Sequence, residues 1–295
     1  MGMNKSQMQQ LVVDIIQKKE LADIDPLFVM FQIGKYFQYK PKAYSFVPIN
    51  ETKKKSKEYK QIIKDIRQIL RRFHGLFQQE KKSTDFQVLL EMIDVVKDFS
   101  GLKIVAQDIL SIHASTLERV SLYKQLYHDI FHITGVPETI VDLGCGLNPV
   151  SLVFMHILEE KKKMKYLAYD INQRERELLN SVFEKAHSLN SHFTGSCEYL
   201  NLLSNSEIEK IPKADVCFLF KVTDILDQGK GHKTTENVIT SLNTKFIVLS
   251  FPTKTMSGKK MTAPKRNWVK LLCDRLGYNY TLLEYQSEIV YVIEK

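Results

Sequence analysis

The sequence predicts an α/β protein: a doubly wound, Rossmann-like, seven-stranded sheet, mostly parallel, preceded by a smaller α-helical domain. Three observations carry this. A β-branched run, Thr139 to Leu143, leads straight into a turn with two glycines, Gly144 and Gly146. From there to the C-terminus, apolar runs of strand length alternate with helical ones, the pattern of a parallel sheet covered on both faces. The first hundred residues show helical spacing instead.

At the N-terminus, Met8, Leu11, Val12, Ile15 and Ile16 recur at helical spacing. Asp25-Pro26 opens a second apolar segment, Leu27 to Phe37, and Pro41 to Asn50 reads as a loop. Residues 53–82 then carry eleven Lys and Arg against three acids. Ile62, Ile63, Ile66, Ile69, Leu70 and Phe73 give this segment an apolar stripe, so it reads as an amphipathic helix with a basic outer face. A solvated surface is the usual fate of such a run. Here almost all the charge has one sign and few acids sit at i,i+4. That favours contact with nucleic acid, with Lys60, Lys64, Arg67, Arg71 and Arg72 meeting phosphates; such contacts give affinity and positioning rather than base specificity. A helix is expected from Asp85 to Phe99, capped by Ser83 or Thr84 and stopped by Ser100-Gly101, and another from Ile109 to Tyr127. The helical domain is expected to span residues 1–105 and the sheet domain 106–295.

Gly144 and Gly146 let the backbone turn sharply and approach a ligand closely. No Gly-Lys-Ser/Thr follows, and Pro149 and Val150 stand near where a dinucleotide fingerprint needs its third glycine. Asp142-Leu143-Gly144-Cys145-Gly146 resembles motif I of S-adenosyl-L-methionine (SAM) methyltransferases; a purely structural glycine turn is the plain alternative. The second strand, Lys165 to Tyr169, leads into Asp170, where an acid accepts hydrogen bonds from both ribose hydroxyls of a nucleoside. NAD is read the same way. The missing glycine, the lack of a hydride-transfer constellation and the terminal strand pair favour SAM. Further strands are expected at Cys197 to Leu200, Asp215 to Phe220, Phe246 to Phe251, Tyr280 to Tyr285 and Glu288 to Ile293. Helices are expected at Val150 to Leu158, Arg174 to Ala186, around Val238 to Leu242 and at Asn267 to Leu276. The last two strands are close enough to make one strand antiparallel. About twenty residues before the glycine turn, Arg119 suits either a bidentate grip on the methionine carboxylate or an ion pair with Glu118 or another acid.

The residues after the fourth and fifth strands limit the methyl acceptor. Lys221-Val222-Thr223-Asp224 is not the Asn/Asp-Pro-Pro-aromatic loop of adenine-N6 enzymes, and Ser250-Phe251-Pro252 lacks the cysteine of C5-pyrimidine enzymes. A ring nitrogen such as guanine N7 needs neither, because it carries no proton to remove. Lys221 then suits an orienting donor better than a base. The Thr253 to Arg266 loop has five cations and no acid. Phe251 or Trp268 could stack on an extruded base; for Trp268, within a helix, core packing is favoured.

The chain of 295 residues carries a net charge of +8. Its four cysteines lack any Cys-x-x-Cys spacing, which argues against a zinc site or disulfide framework and suits a reducing, cytoplasmic setting. No metal and no membrane are expected. Met1 to Ser6 fits the myristoylation pattern, but the second methionine, Met3, suggests a start at that position preceded by two added residues, so lipidation is not expected.

From about Ile109 onward the chain resembles the aminoglycoside-resistance 16S rRNA guanine-N7 methyltransferases of the FmrO or Arm type. The resemblance rests on Ile112 to Val120, Asp142 to Pro149, Ala168 to Ile171, Leu200-Asn201, Phe218 to Lys221 and Ser250 to Lys259, in order. It implies a class I methyltransferase fold, SAM as cofactor with S-adenosyl-L-homocysteine as product, and 16S rRNA in the 30S subunit as partner of a monomeric enzyme. It implies that Arg119 binds the SAM carboxylate. Gly144 and Gly146 would form the methionine turn, with Asp170 at the ribose and Asn201-Leu202 at the adenine edge; Asp142, Cys145, Ile171 and Phe220 would also line the cofactor site. Lys221, Phe251, Lys254, Ser257 and Lys259 would face the target guanine. Thr223-Asp224 and Gln228-Gly229 stand where the family has Leu-Pro and a Gln pair, and Ala114 replaces a serine. Methylation of another RNA, or a SAM- and ribosome-binding assembly factor without turnover, are the alternatives.

Overall fold

A computed structural model describes residues 3–48, 56–74, 86–156, 162–229, 231–255 and 258–295. The chain forms two compact units. One is Met1–Gln78 with Ile171–Arg174; the other is Gln79–Asp170 with Glu175–Lys295.

The first unit holds α1 (Lys5–Ile16), α2 (Pro26–Tyr39) and α3 (Lys57–His74). Asn4 and Gln7 close a reciprocal capping box on α1, and the Asp25 carboxylate caps α2 ahead of Pro26. In α3, Tyr59, Ile62, Ile66 and Leu70 are buried at intervals of three and four while Lys60, Lys64, Arg71 and Arg72 are exposed. The expected amphipathic helix is therefore present from Lys57; Lys53 to Lys55, Lys81 and Lys82 lie outside the described residues. The loop after α2 contains a short 3-10 helix, Pro41–Phe46.

The second unit opens with α4 (Phe86–Asp94), α5 (Phe99–Leu110), α6 (Ala114–Leu117) and α7 (Tyr123–Thr134). Two expectations are corrected here. Ser100-Gly101 begins a helix rather than ending one, because the Asp98 carboxylate caps α5 by accepting from the Gly101 N–H at 2.8 Å. The single helix expected from Ile109 to Tyr127 is broken twice. The Thr116 hydroxyl donates to the Leu110 carbonyl at 2.6 Å, satisfying the end of α5 and letting the chain turn at an extended His113. The Ser83 or Thr84 cap lies outside the described residues. The unit boundary also falls before residue 105: Leu89, Ile93, Leu102, Val105 and Ile109 share one apolar core with strand residues Ile140, Val216 and Phe218.

The sheet comprises β1 (Thr139–Leu143), β2 (Met164–Tyr169), β3 (Phe193–Glu198), β4 (Ala214–Phe220), β5 (Thr244–Pro252), β6 (Asn279–Glu284) and β7 (Glu288–Glu294). Its order is β3-β2-β1-β4-β5-β7-β6. The pairs among β1 to β5 are parallel, and β7 runs antiparallel between β5 and β6. Strand residues alternate between faces as the pleat demands. Ile140, Tyr166, Phe218 and Val248 pack towards α5 and α7 on one side, whereas Val141, Leu167, Leu219 and Leu249 pack with residues of α11 (Lys233–Ser241) and α12 (Asn267–Leu276) on the other. The remaining helices are α8 (Gln173–Leu189), α9 (Asn205–Ile208) and α10 (Thr223–Asp227). After β1 the expected helix is a 3-10 helix, Asn148–Phe154. Strand order reverses between β1 and β4, so the C-terminal ends of these strands form the crevice in which such sheets bind ligands.

Candidate functional site

The crevice is built on the turn after β1. Gly144 has φ +60°, and a Cβ there would stand 2.6 Å from Cγ2 of Val222. Gly146 has φ +48° and would place a Cβ 3.4 Å from Nδ1 of His113. Both conformations cost an L-residue strain, and at Gly144 the packing forbids a side chain as well. The turn is tied to β2: Gly144 N–H donates to the Tyr169 carbonyl at 2.9 Å, and Gly146 N–H donates to the Asp170 carboxylate at 2.8 Å. Asp170 thus stands, half-buried, beside the glycine turn at the end of β2. His113 and Glu175 back this turn, with Nε2 and Oε1 3.1 Å apart and both side chains buried. Burial pushes the His113 pKa down, but the Glu175 carboxylate outweighs it and leaves it raised.

Beneath the turn runs a buried polar network. Arg119 donates through Nε and Nη2 to both oxygens of Glu288, each at 2.6 Å. Nη2 also donates to Ser250 at 2.9 Å, and Nη1 to Asn148 at 3.5 Å. Asn148 Nδ2 and the Tyr166 hydroxyl both donate to Oδ2 of Asp142 at 2.8 Å. Burial raises the Asp142 carboxyl to about 6, although those two donors and Arg119 hold it down. Burial likewise pushes Glu288 up, but Arg119 and then Lys221 overcome it, and Glu288 ends below its ordinary value.

These features test the fit of a SAM-type nucleoside. The turn closed to a Cβ at Gly144, the acid at the β2 end and a buried Asn201 whose Nδ2 has no partner in the described residues are the groups such a ligand needs. Asn201 is fixed by its own backbone: Glu207 accepts from its N–H at 2.7 Å, and its Oδ1 accepts from Leu203 at 3.0 Å. Leu202 is buried beside Gly144.

The model of one family, ribosomal RNA methyltransferase (FmrO), matches residues 35–292. The chain belongs to this family. It is similar to a 16S rRNA (guanine(1405)-N(7))-methyltransferase of Proteus mirabilis, 29% identical over 182 residues, which cover 62% of this chain and 61% of that protein. A protein of the same name from Micromonospora rosea is 28% identical over 192 residues, 63% of this chain and 64% of the relative. The chain thus aligns with a little under two thirds of the length of these relatives. Among solved structures, the 16S rRNA methyltransferase RmtF in complex with S-adenosyl-L-homocysteine shares the fold over 100% of both chains, with TM-score 0.68 and 22% identity. The 16S rRNA methylase ArmA, 26% identical with TM-score 0.55, matches 72% of this chain and 99% of that one.

In this FmrO-family chain the residues expected to act together are only partly brought together. Arg119 is 2% exposed and its bidentate partner is Glu288, the ion-pair alternative. Phe220 is buried under the Arg119 guanidinium, 4.8 Å from the ring centroid. Cys145 is buried, and burial together with Cys197 raises its thiol well above the ordinary range. The Ile171 carbonyl accepts from the Asp25 N–H at 2.8 Å, within the helical unit. Lys221 sits at the β4 end with φ +56°, its N–H held by the Ser250 carbonyl and hydroxyl at 3.1 Å. Phe251 is corrected: it is 1% exposed, packed edge-on against Trp268 and Tyr291 with Arg266 over its face, so no ring face is presented to a base. Glu288 escaped the sequence reading. Its signal was an acid opening an otherwise apolar β-branched strand.

The basic residues divide as well. A groove of about 580 Å³ between α1 and α3 is lined by Lys18, Lys60, Lys64, Arg67 and Arg71, among others. Arg67, however, donates to the Asp14 and Ile15 carbonyls at the end of α1, and Arg71 pairs with Glu20 at 2.7 Å. Lys60, Lys64 and Arg72 are, with Arg71, the exposed cations of α3 on the expected list. After β5, Lys254, Lys259 and Lys260 are exposed, whereas Lys265 and Arg266 pair with Glu284 and Asp224. Ser257 lies outside the described residues. No group of three or more metal-ligating side chains, and no helix long and apolar enough to cross a membrane, occurs among the described residues.

Proposed function

We propose that this protein transfers the methyl group of SAM to N7 of a guanine in the decoding region of 16S rRNA within the 30S subunit. The observation that carries the reading is the Asp170–Gly146 tie beside a Gly144 turn that admits no side chain, at the strand-order reversal. SAM supplies an electrophilic methyl on a sulfonium. Gly144 and Gly146 leave room for the methionine portion, Asp170 accepts from the ribose hydroxyls, and Asn201 offers Nδ2 at the adenine edge. Arg119 acts chiefly as a fixed buried charge, holding Asn148 and Glu288 under the turn.

N7 has an in-plane lone pair and no proton. A bond forms from N7 to the methyl carbon, the sulfur–methyl bond breaks, and the positive charge passes from sulfur to the base, releasing S-adenosyl-L-homocysteine. No general base is required, so positioning and electrostatics supply the catalysis. Lys221 orients the base edge or a neighbouring phosphate. Lys60, Lys64 and Arg72 of the helical unit, with Lys254 and Lys259 after β5, hold the rRNA backbone.

The test is transfer of radiolabelled methyl from SAM to purified 30S subunits, naked 16S rRNA and tRNA. Label is expected in the 30S subunit. Label confined to tRNA would move the substrate, and bound SAM without label on any RNA would favour a non-catalytic ribosome-binding protein.

A further inference from the structure

Lys221 sits in a cluster of four charges drawn from three parts of the chain. Its Nζ lies 3.0 Å from Glu118 Oε2 and 3.9 Å from Glu288 Oε2. Glu288 is already gripped on both oxygens by Arg119, whose like charge opposes that of Lys221. Lys221 itself has little freedom. Its backbone is held in the left-handed region by two bonds to Ser250, and its side chain is 5% exposed, against 50% for Glu118. Glu118 is thus the only acid of the cluster that bonds directly to the Lys221 ammonium and is not also bonded to Arg119, among the described residues.

We propose that Glu118 is a positioning residue for Lys221, holding its ammonium charged and aimed at the β4 end, where the RNA is methylated. This rests on the functional reading above. The groups facing Lys221 are Glu118, Arg119 and Glu288, and they act in opposite senses. Burial pushes the Lys221 pKa down, Glu288 pulls it back, Arg119 pushes it down again, and Glu118 raises it by charge and by hydrogen bond; the result is below the ordinary lysine value. Removing Glu118 leaves a desolvated lysine beside a buried arginine, with the one remaining carboxylate shared. The neutral amine then forms at lower pH.

The experiment compares the wild type with Glu118→Gln and Glu118→Asp, using protein labelled with ¹³C at the lysine ε-carbon. The Lys221 signal is assigned by its loss in Lys221→Met and followed with pH. The titration is expected to move down by about one pH unit in Glu118→Gln, the lower end for losing an opposite charge within hydrogen-bonding distance, and to recover part of the shift in Glu118→Asp. In parallel, the alkaline limb of methyl transfer to 30S subunits should move by the same amount with KM for SAM unchanged. An unmoved Lys221 titration in Glu118→Gln overturns the proposal, as does a moved titration with an unmoved limb. Glu118 is half-exposed, so the variants are expected to melt with the wild type; if Glu118→Gln does not fold, Glu118→Asp carries the same comparison. The titration needs no turnover. A wild type that methylates no RNA defeats the functional reading, and Lys221 as the seat of a pH-dependent rate with it, while the coupling of Glu118 to Lys221 is still read from the signal itself.

Discussion

Arg119 and Glu288 stand 169 residues apart in sequence and meet as a bidentate pair, with both bonds 2.6 Å long, beneath the glycine turn. The pair joins the segment after α6 to the first residue of β7, and so fixes the floor of the proposed SAM site to the antiparallel strand. Both residues are buried, so neither charge tolerates losing the other.

Arg119→Met is expected to cost about 3–5 kcal/mol of stability, because it strands the Glu288 carboxylate in the core. Arg119→Met with Glu288→Met should recover most of that loss while remaining inactive. Urea denaturation of both single variants and the double variant checks this. A double variant as unstable as Arg119→Met would contradict the stranded-charge account.

Gly144→Ala should weaken S-adenosyl-L-homocysteine binding by roughly 10-fold or more, because the new methyl meets Val222 at 2.6 Å and the left-handed backbone adds about 1–2 kcal/mol of strain. Adding Val222→Ala removes the clash and leaves the strain, so part of the affinity should return. Asp170→Ala, which removes the carboxylate bonded to Gly146, should abolish binding. Calorimetric titration separates the three; unchanged affinity in Asp170→Ala would sink the cofactor assignment.

Asp142 makes stability depend on pH with a defined sign. Its carboxyl is raised from 3.8 to about 6 in the folded chain, so between these values the folded state holds a proton that the unfolded state has released. Stability from this group therefore falls as pH rises across that window. Asp142→Asn should gain roughly 1–3 kcal/mol over wild type at pH 8 and nothing at pH 4. Melting curves at the two pH values decide it, and an equal gain at both would contradict the buried-carboxylate account.

Arg67 and its lysine neighbours should separate cleanly. Arg67→Ala removes two bonds to α1 carbonyls and is expected to lower the melting temperature, at a cost of about 1–3 kcal/mol. Lys60→Glu with Lys64→Glu should leave melting unchanged, weaken 30S binding, and reduce its salt slope by about 1 for each phosphate no longer neutralised. Binding isotherms at several salt concentrations test it, and an unchanged slope would leave α3 a solvated face.

Much of the site was legible because it is local. Gly144, Gly146 and Asp170 each follow from turn chemistry within a few residues of a strand end, and the sheet follows from alternation and the terminal strand pair. What was hidden depends on distant partners. Nothing near Arg119 in sequence points to Glu288, and nothing near Lys221 points to Glu118. The break at His113 is set by one hydroxyl, Thr116, reaching back to Leu110, against a helical apolar pattern that runs through it. Phe251 looked available because strand ends expose side chains; Trp268, Tyr291 and Arg266 cover it only in three dimensions.

The most direct test of the central claim is chemical mapping of the product. Purified 30S subunits are incubated with the protein and SAM, and their RNA is extracted, reduced with borohydride and treated with aniline, which cuts the chain at N7-methylguanosine. A single cut in the decoding region of 16S rRNA, absent when Asp170→Ala replaces the wild type, is the predicted result. Incorporated methyl label with no cut at any guanine would contradict it.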